Sequence, residues 1–224
     1  MPKAFPVALS LSLALSSLPA RALDAAELVE KHVSARGGRD AIARLGSVLL
    51  EGRYLEGASG DVAYRWTRAL KRQGRYREDT TLQGLTYVDA WDGREGWKYD
   101  PFEGRREAER VSADEAKELA SRADDLDGVL AGAKARGASV AYLGTEDVDG
   151  TAAHELRVTE ANGDVTDVFL DPDHLLEIRL ERRIRVRGAE RLVEVDLGSY
   201  ARVAGVWFPF AIEGGAKGRP RAWR

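Results

Sequence analysis

Residues 176–187, LEIRLERRIRVR, alternate in character with a period of two. Leu176, Ile178, Leu180, Ile184 and Val186 point one way; Glu177, Arg179, Glu181, Arg183, Arg185 and Arg187 point the other. Successive side chains of a strand face opposite sides, so this stretch predicts a strand with one dry and one wet face. Such half-wet strands belong to antiparallel sheets, because parallel sheets are covered on both faces.

The same period extends in both directions. Residues 139–145, 153–159 and 165–170 read as strands, separated by turn residues at Asp149-Gly150, Asn162-Gly163-Asp164 and Asp171-Pro172-Asp173. Residues 192–197 and 206–212 follow as the last strands. Earlier in the chain, 49–55 leads to a turn at 58–61. Val62, Tyr64 and Trp66 then share one face, with Arg65 and Thr67 opposite. A strand over 75–82, a turn at Gln83-Gly84, a strand carrying Leu85, Tyr87 and Trp91, a turn at Asp92-Gly93 and Trp97-Lys98-Tyr99 complete this part. Short strands at this spacing predict a mainly β protein with some α, built on a strongly curved antiparallel sheet or an open barrel.

Two helical blocks interrupt the pattern. Asp24 and Glu27 have the spacing of a capping box, and Leu28, Val29, His32 and Val33 form an apolar stripe that ends at Gly37-Gly38. A short second helix over 39–45 carries Ile42 and Leu45. A longer helix is expected over 112–135, capped by Ser112 with Glu115. Its stripe is Ala116, Leu119, Ala120, Ala123, Leu126 and Leu130, with a break expected near Asp127-Gly128. Because small residues dominate this stripe, the helix is expected to lie loosely over the sheet as a lid.

The first 22 residues read as a secretory signal peptide: basic Lys3, an apolar run over 5–18, and Ala20-Arg21-Ala22 before Leu23. Residues 23–224 are then expected to form one domain in the periplasm, without a transmembrane segment. Without Lys3 and Arg21 the chain holds 32 basic and 37 acidic residues, mixed along its length. No basic stripe indicates nucleic acid as a partner. The absence of cysteine excludes disulfides, thiol catalysis and lipid attachment through a thiol.

Signals for catalysis are poor. His32, His154 and His174 lack a second ligand at metal-binding spacing, and Ser47 and Ser199 lack a nucleophile-elbow context. Neither Gly37-Gly38 nor Gly214-Gly215 belongs to a phosphate loop, and Asp171 with Asp173 reads as a turn and not as a calcium loop. No catalytic residue, metal or cofactor is expected. The aromatic cluster Tyr64, Trp66, Tyr87, Trp91, Trp97 and Tyr99 suits either a packed core or the lining of a hollow in an incompletely filled sheet.

Four segments resemble the outer-membrane lipoprotein-sorting family, the LolA/LolB-like periplasmic carriers, in a divergent branch. They are 32–52 (HVSARGGRDAIARLGSVLLEG), 89–105 (DAWDGREGWKYDPFEGR), 144–175 (GTEDVDGTAAHELRVTEANGDVTDVFLDPDHL) and 200–213 (YARVAGVWFPFAIE). The resemblance implies an incomplete, unclosed barrel lidded by helices. It implies a non-enzymatic carrier or binder of lipid or lipoprotein acyl chains, with envelope proteins as further partners. Candidate lining residues of the hollow are Tyr64, Trp66, Tyr87, Trp91, Leu119, Leu126, Ile178, Leu180, Phe208 and Phe210. The alternative is a periplasmic sensor or protein-interaction module on the same fold. Relatives continue past the F-P-F strand, whereas 214–224 (GGAKGRPRAWR) reads as a basic tail, so the last strands are expected to be missing.

Overall fold

The computed structural model describes residues 24–57, 62–186 and 189–224. The leader at 1–22, the mature start at Leu23, the turn at 58–61 and Arg187 lie outside the described residues. Helix α1 (Ala25–Arg36) begins at Asp24, whose carboxylate accepts from the Ala26 amide at 3.3 Å, as an N-cap should. Its buried face is Leu28, His32, Val33 and Arg36. Helix α2 (Arg39–Ala43) follows the glycine pair and buries Ala41 and Ile42.

A first half-sheet runs in chain order through β1 (Ser47–Glu56), β2 (Val62–Lys71), β3 (Arg75–Leu82), β4 (Leu85–Trp91), β5 (Gly96–Tyr99) and β6 (Glu109–Arg110). Directly opposed residues of an antiparallel pair share a face. Trp66 opposes Gly52 and Thr80, Tyr87 opposes Thr80, and Trp91 opposes Tyr76, which opposes Leu70. Tyr64, Trp66, Tyr87 and Trp91 therefore lie on one inner face with Leu70 and Tyr76, and Arg65 lies outside.

The second half-sheet has the order β14-β11-β10-β9-β8-β7, from β7 (Ser139–Val148), β8 (Thr151–Thr159), β9 (Val165–Leu170), β10 (Glu177–Val186), β11 (Ala189–Gly198) and β14 (Ala211–Ala216). A hairpin of β12 (Ala201–Val203) and β13 (Val206–Phe208) is inserted between β11 and β14. The register of β9 and β10 shifts between Glu177 and Arg179. This bulge corrects the alternation read from 176–187. Leu180, opposite Val168 and Val195, faces inward, but Glu177, opposite Leu170, joins it. Ile178 packs instead with Val148, Ala153 and Phe169 on the outer side. A bulge adds one residue to one strand and so exchanges the faces beyond it.

The residues read as a basic tail belong to the sheet. Gly214–Ala216 continue β14, and Trp223 bridges both Gly214 and Glu56. The Leu55 amide donates to the Arg224 carbonyl at 2.8 Å, and the Arg224 amide returns the bond at 2.9 Å. The tail thus joins β1 to β14, while β6 and β7 remain unpaired to each other among the described residues. The result is a curved antiparallel sheet that does not close into a barrel.

The chain between the open edges forms α3 (Ala113–Ala123), a 3-10 turn (Asp124–Asp127) and α4 (Val129–Ala133). The predicted Ser112–Glu115 capping box is present. Helix α3 rests on the inner face of the first half-sheet, where Leu119, Ala123 and Leu126 pack against Leu70 and Tyr76. Gly96 permits this approach: a Cβ there would stand 2.5 Å from Val111 Cγ2 and 3.2 Å from Leu119 Cδ1. Helix α4 differs. Val129, Leu130 and Ala133 belong to the main core with Leu28, Leu156, Val158, Val168, Leu170 and Leu180. The expected lid over 112–135 is therefore two pieces, of which the second is fixed core.

Candidate ligand cavity

Where the inner faces of the half-sheets meet, a cavity of about 150 Å³ opens beneath the α3–α4 connection. Val48, Leu50 and Leu70 form one wall, Leu180 and Leu197 the other, and Leu126 and Val129 the lid side. Phe208 and Pro209 line it from the C-terminal hairpin. Arg36, Arg68, Asp125, Glu177, Arg182 and Tyr200 add polar groups to this apolar shell.

The polar groups are held by α1 and by the bulge in β10. His32 is fully buried, with Nδ1 donating to the Leu175 carbonyl at 2.8 Å. Its Nε2 lies 3.3 Å from Glu177 Oε1, within ion-pair reach but off the line of a hydrogen bond. The Tyr200 hydroxyl donates to the Glu177 carbonyl oxygen at 2.7 Å. Burial alone would raise the Glu177 carboxyl, but the close approach of His32, helped by the Arg36 charge, outweighs it and holds the pKa down at about 2. Burial, reinforced by the Glu177 charge, pushes the Tyr200 phenol upward.

Arginines tie the connecting turn in place. Arg36 Nη1 donates to the Asp127 carbonyl at 2.7 Å. Arg72 grips the Asp127 carboxylate at 2.8 and 3.1 Å while also donating to the Ile42 and Leu45 carbonyls. Arg182 reaches Asp125 at 3.2 Å, and its buried Nε has no partner among the described residues. Gly128, with φ at 88°, marks the break expected from sequence; a Cβ there would stand 2.1 Å from Arg36 Nη1. The turn needs both the left-handed backbone and the missing side chain.

Of the residues singled out from sequence, Leu126, Leu180 and Phe208 line this cavity. Leu119 is buried one layer away under α3, with Trp91 packed against the same cluster. Tyr64, Trp66 and Tyr87 share the inner face but lie outside the cavity lining. Tyr64 donates to Glu56 at 2.8 Å, Trp66 lies under the Arg68 guanidinium at 4.9 Å, and Tyr87 donates to Asp89 at 2.8 Å. Ile178 is on the opposite face, and Phe210 is 65% exposed. Sequence reasoning missed Arg36, Arg68, Glu177, Arg182 and Tyr200. For Arg182 a signal existed: it occupies an apolar-face position in the alternation of 176–187. Among the described residues no group of three or more His, Asp or Glu could hold a metal ion.

The same architecture recurs in solved structures. A domain assigned to outer-membrane lipoprotein sorting from Vibrio parahaemolyticus superimposes with a TM-score of 0.57 at 12% identity, over 88% of this chain and 87% of that one. A LolA superfamily protein from Nitrosomonas europaea gives 0.56 at 13% identity, over 90% of each chain. The chain has the LolA-like fold. A DUF1329 family protein from Desulfovibrio piger shares it, with a TM-score of 0.57 at 14% identity over 90% of this chain and 91% of that one. The sequence matches no family model, and no curated protein matches it. In this LolA-like fold the cavity lies between the half-sheets, below the helices that span the open edges. No helix among the described residues is long and apolar enough to cross a membrane.

Proposed function

We propose that this protein is a non-enzymatic carrier that takes an acyl chain of a lipid or lipoprotein into the hollow between its half-sheets, and that it works in the periplasm after export on its leader. The observation that carries the reading is the apolar cavity with Leu126 and Val129 of the helical connection on its lid side. Each CH₂ of an acyl chain in water costs about 0.8 kcal/mol, so crossing an aqueous space requires a greasy enclosure. The fold shared with a domain assigned to lipoprotein sorting supports the same reading.

The cavity as it stands, about 150 Å³, matches a benzene-sized guest and not an acyl chain. Loading therefore requires α3 and the following turn to move, with Gly128 as the hinge and α4 staying in the core. Titration with a fluorescent hexadecanoyl probe tests this, with hydrogen exchange alongside. Saturable binding, competed by palmitate, is expected. Leu180→Glu should abolish it, while Leu49→Glu on the exposed outer face should not. Bound probe should change exchange over 113–127 and leave 129–133 unchanged. No binding, with exchange over 113–127 unaltered across the titration, would overturn the carrier and favour the protein-interaction module.

A further inference from the structure

We infer that the outer, convex face of the first half-sheet is a docking surface for an anionic phospholipid membrane. This surface faces away from the cavity, and the inference stands without the carrier reading.

The register places Arg53 directly opposite Arg65, and Lys71 directly opposite Arg75, on that outer face. Like charges in directly opposed positions destabilise a sheet, so two such pairs on neighbouring strands need another reason to exist. None of these four cations makes an ion pair or side-chain hydrogen bond among the described residues; Arg75 acts on Asp92 only through its field. The carboxylates on the face are Glu51 and Asp79, and Asp79 is already held by Arg77. The chain as a whole carries a net charge of −3, so this positive face runs against the overall balance.

Apolar surface lies among the cations. Leu49 is 63% exposed beside Ala69, in a shallow groove of about 340 Å³ rimmed by Lys71, Arg75 and Arg77. No helix among the described residues covers it, because α3 packs on the other side against Leu70 and Tyr76. Long cationic side chains around small apolar residues can extend to phosphates while their stems cover hydrocarbon. An acidic protein would be recognised through cations fixed in position by neighbours. Here nothing fixes them, which suits the diffuse field of a charged bilayer.

The test is co-sedimentation of the purified protein with vesicles of phosphatidylethanolamine and phosphatidylglycerol, against vesicles of phosphatidylcholine alone. Preferential binding to the anionic vesicles, weakened by salt, is expected. Replacing Arg53, Arg65, Lys71 and Arg75 by Gln should lower partition at least about a hundredfold, since each cation near such a surface contributes severalfold. Replacing Arg106, Lys134, Arg202 and Arg219 by Gln makes the same change in net charge elsewhere and should leave partition near that of the parent. Circular dichroism establishes that both variants fold, and single replacements at Arg53 or Arg65 serve if the fourfold variant does not. Equal binding to both vesicle types, equal loss in both variants, or capture of an acidic protein with no vesicle binding would each overturn the inference. Loss of acyl-probe binding with vesicle binding retained would break the carrier reading alone.

Discussion

The two half-sheets treat their outer faces in opposite ways. In β7–β11 and β14 the cations are paired: Arg157 and Arg183 share Asp167, Arg179 joins Asp149, Glu194 and Asp196, and Arg221 and Lys217 from the tail add to Glu194 and Glu181. Asp167, Glu181 and Glu194 are buried beneath this network. In β1–β6, Arg77 and Arg110 pair with Asp79 and Glu95, but Arg53, Arg65, Lys71 and Arg75 have no ion-pair partner among the described residues. The inner faces differ as well, because the second half-sheet packs the main core while the first carries α3 on a smaller cluster. The second half-sheet packs the larger core, and the first keeps the uncovered outer face.

The largest expected contrast is in the cores. Leu156→Ala, at a fully buried site in the main cluster, should cost about 4 kcal/mol, and Leu119→Ala under α3 about 2 kcal/mol because the helix can settle into the gap. Urea unfolding of both variants measures this, and equal losses would remove the distinction between scaffold and lid. The next effect lies at the seam. The Glu177 carboxyl has a pKa lowered from 4.5 to about 2 in the folded state. Its stabilisation is fully present above the unfolded value near 4.5 and is lost as pH falls through the folded value near 2. Glu177→Gln should therefore flatten the loss of stability between pH 4.5 and 2, read by thermal unfolding across that window.

The smallest effects sharpen the comparison of outer faces. Asp167→Asn leaves Arg157 and Arg183 without their shared carboxylate at a buried position and should cost about 2 kcal/mol. Asp79→Asn, beside the exposed Arg77 on the same strand, should cost less than about 0.5 kcal/mol. Arg65→Thr should raise stability by a few tenths of a kcal/mol by relieving the facing Arg53. Chemical denaturation of the three variants orders them, and a destabilised Arg65→Thr would show that the bare face is braced by contacts other than its charges.

Much of this architecture followed from local pattern. β3 and β4 occupy the residues that their alternation and the Gln83-Gly84 turn assigned them, and the inner position of Tyr64, Trp66, Tyr87 and Trp91 followed from side-chain parity. The break at Gly128 and the Ser112–Glu115 cap were legible because each depends on residues within one turn. The cavity was legible only at Leu126, Leu180 and Phe208.

What the sequence could not determine depends on distant partners. Ile178 belongs by parity to the dry face, but fitting β10 against β9 in a curved sheet inserted a bulge that moved it out and brought Glu177 in. Glu177 then became tolerable in the interior only because α1 delivers His32 and Arg36 to it and the loop after β11 delivers Tyr200. The His32 contact with Leu175 spans 143 residues of chain. Residues 214–224 read as a basic tail in place of closing strands because Gly, Pro and Arg carry no strand signal, yet Trp223 joins β1 to β14 through backbone pairing, which is indifferent to side-chain pattern. Sequence determined period and face wherever the instruction was local. Tertiary structure decided which faces meet, because curvature and the burial of charge are settled only between segments far apart in the chain.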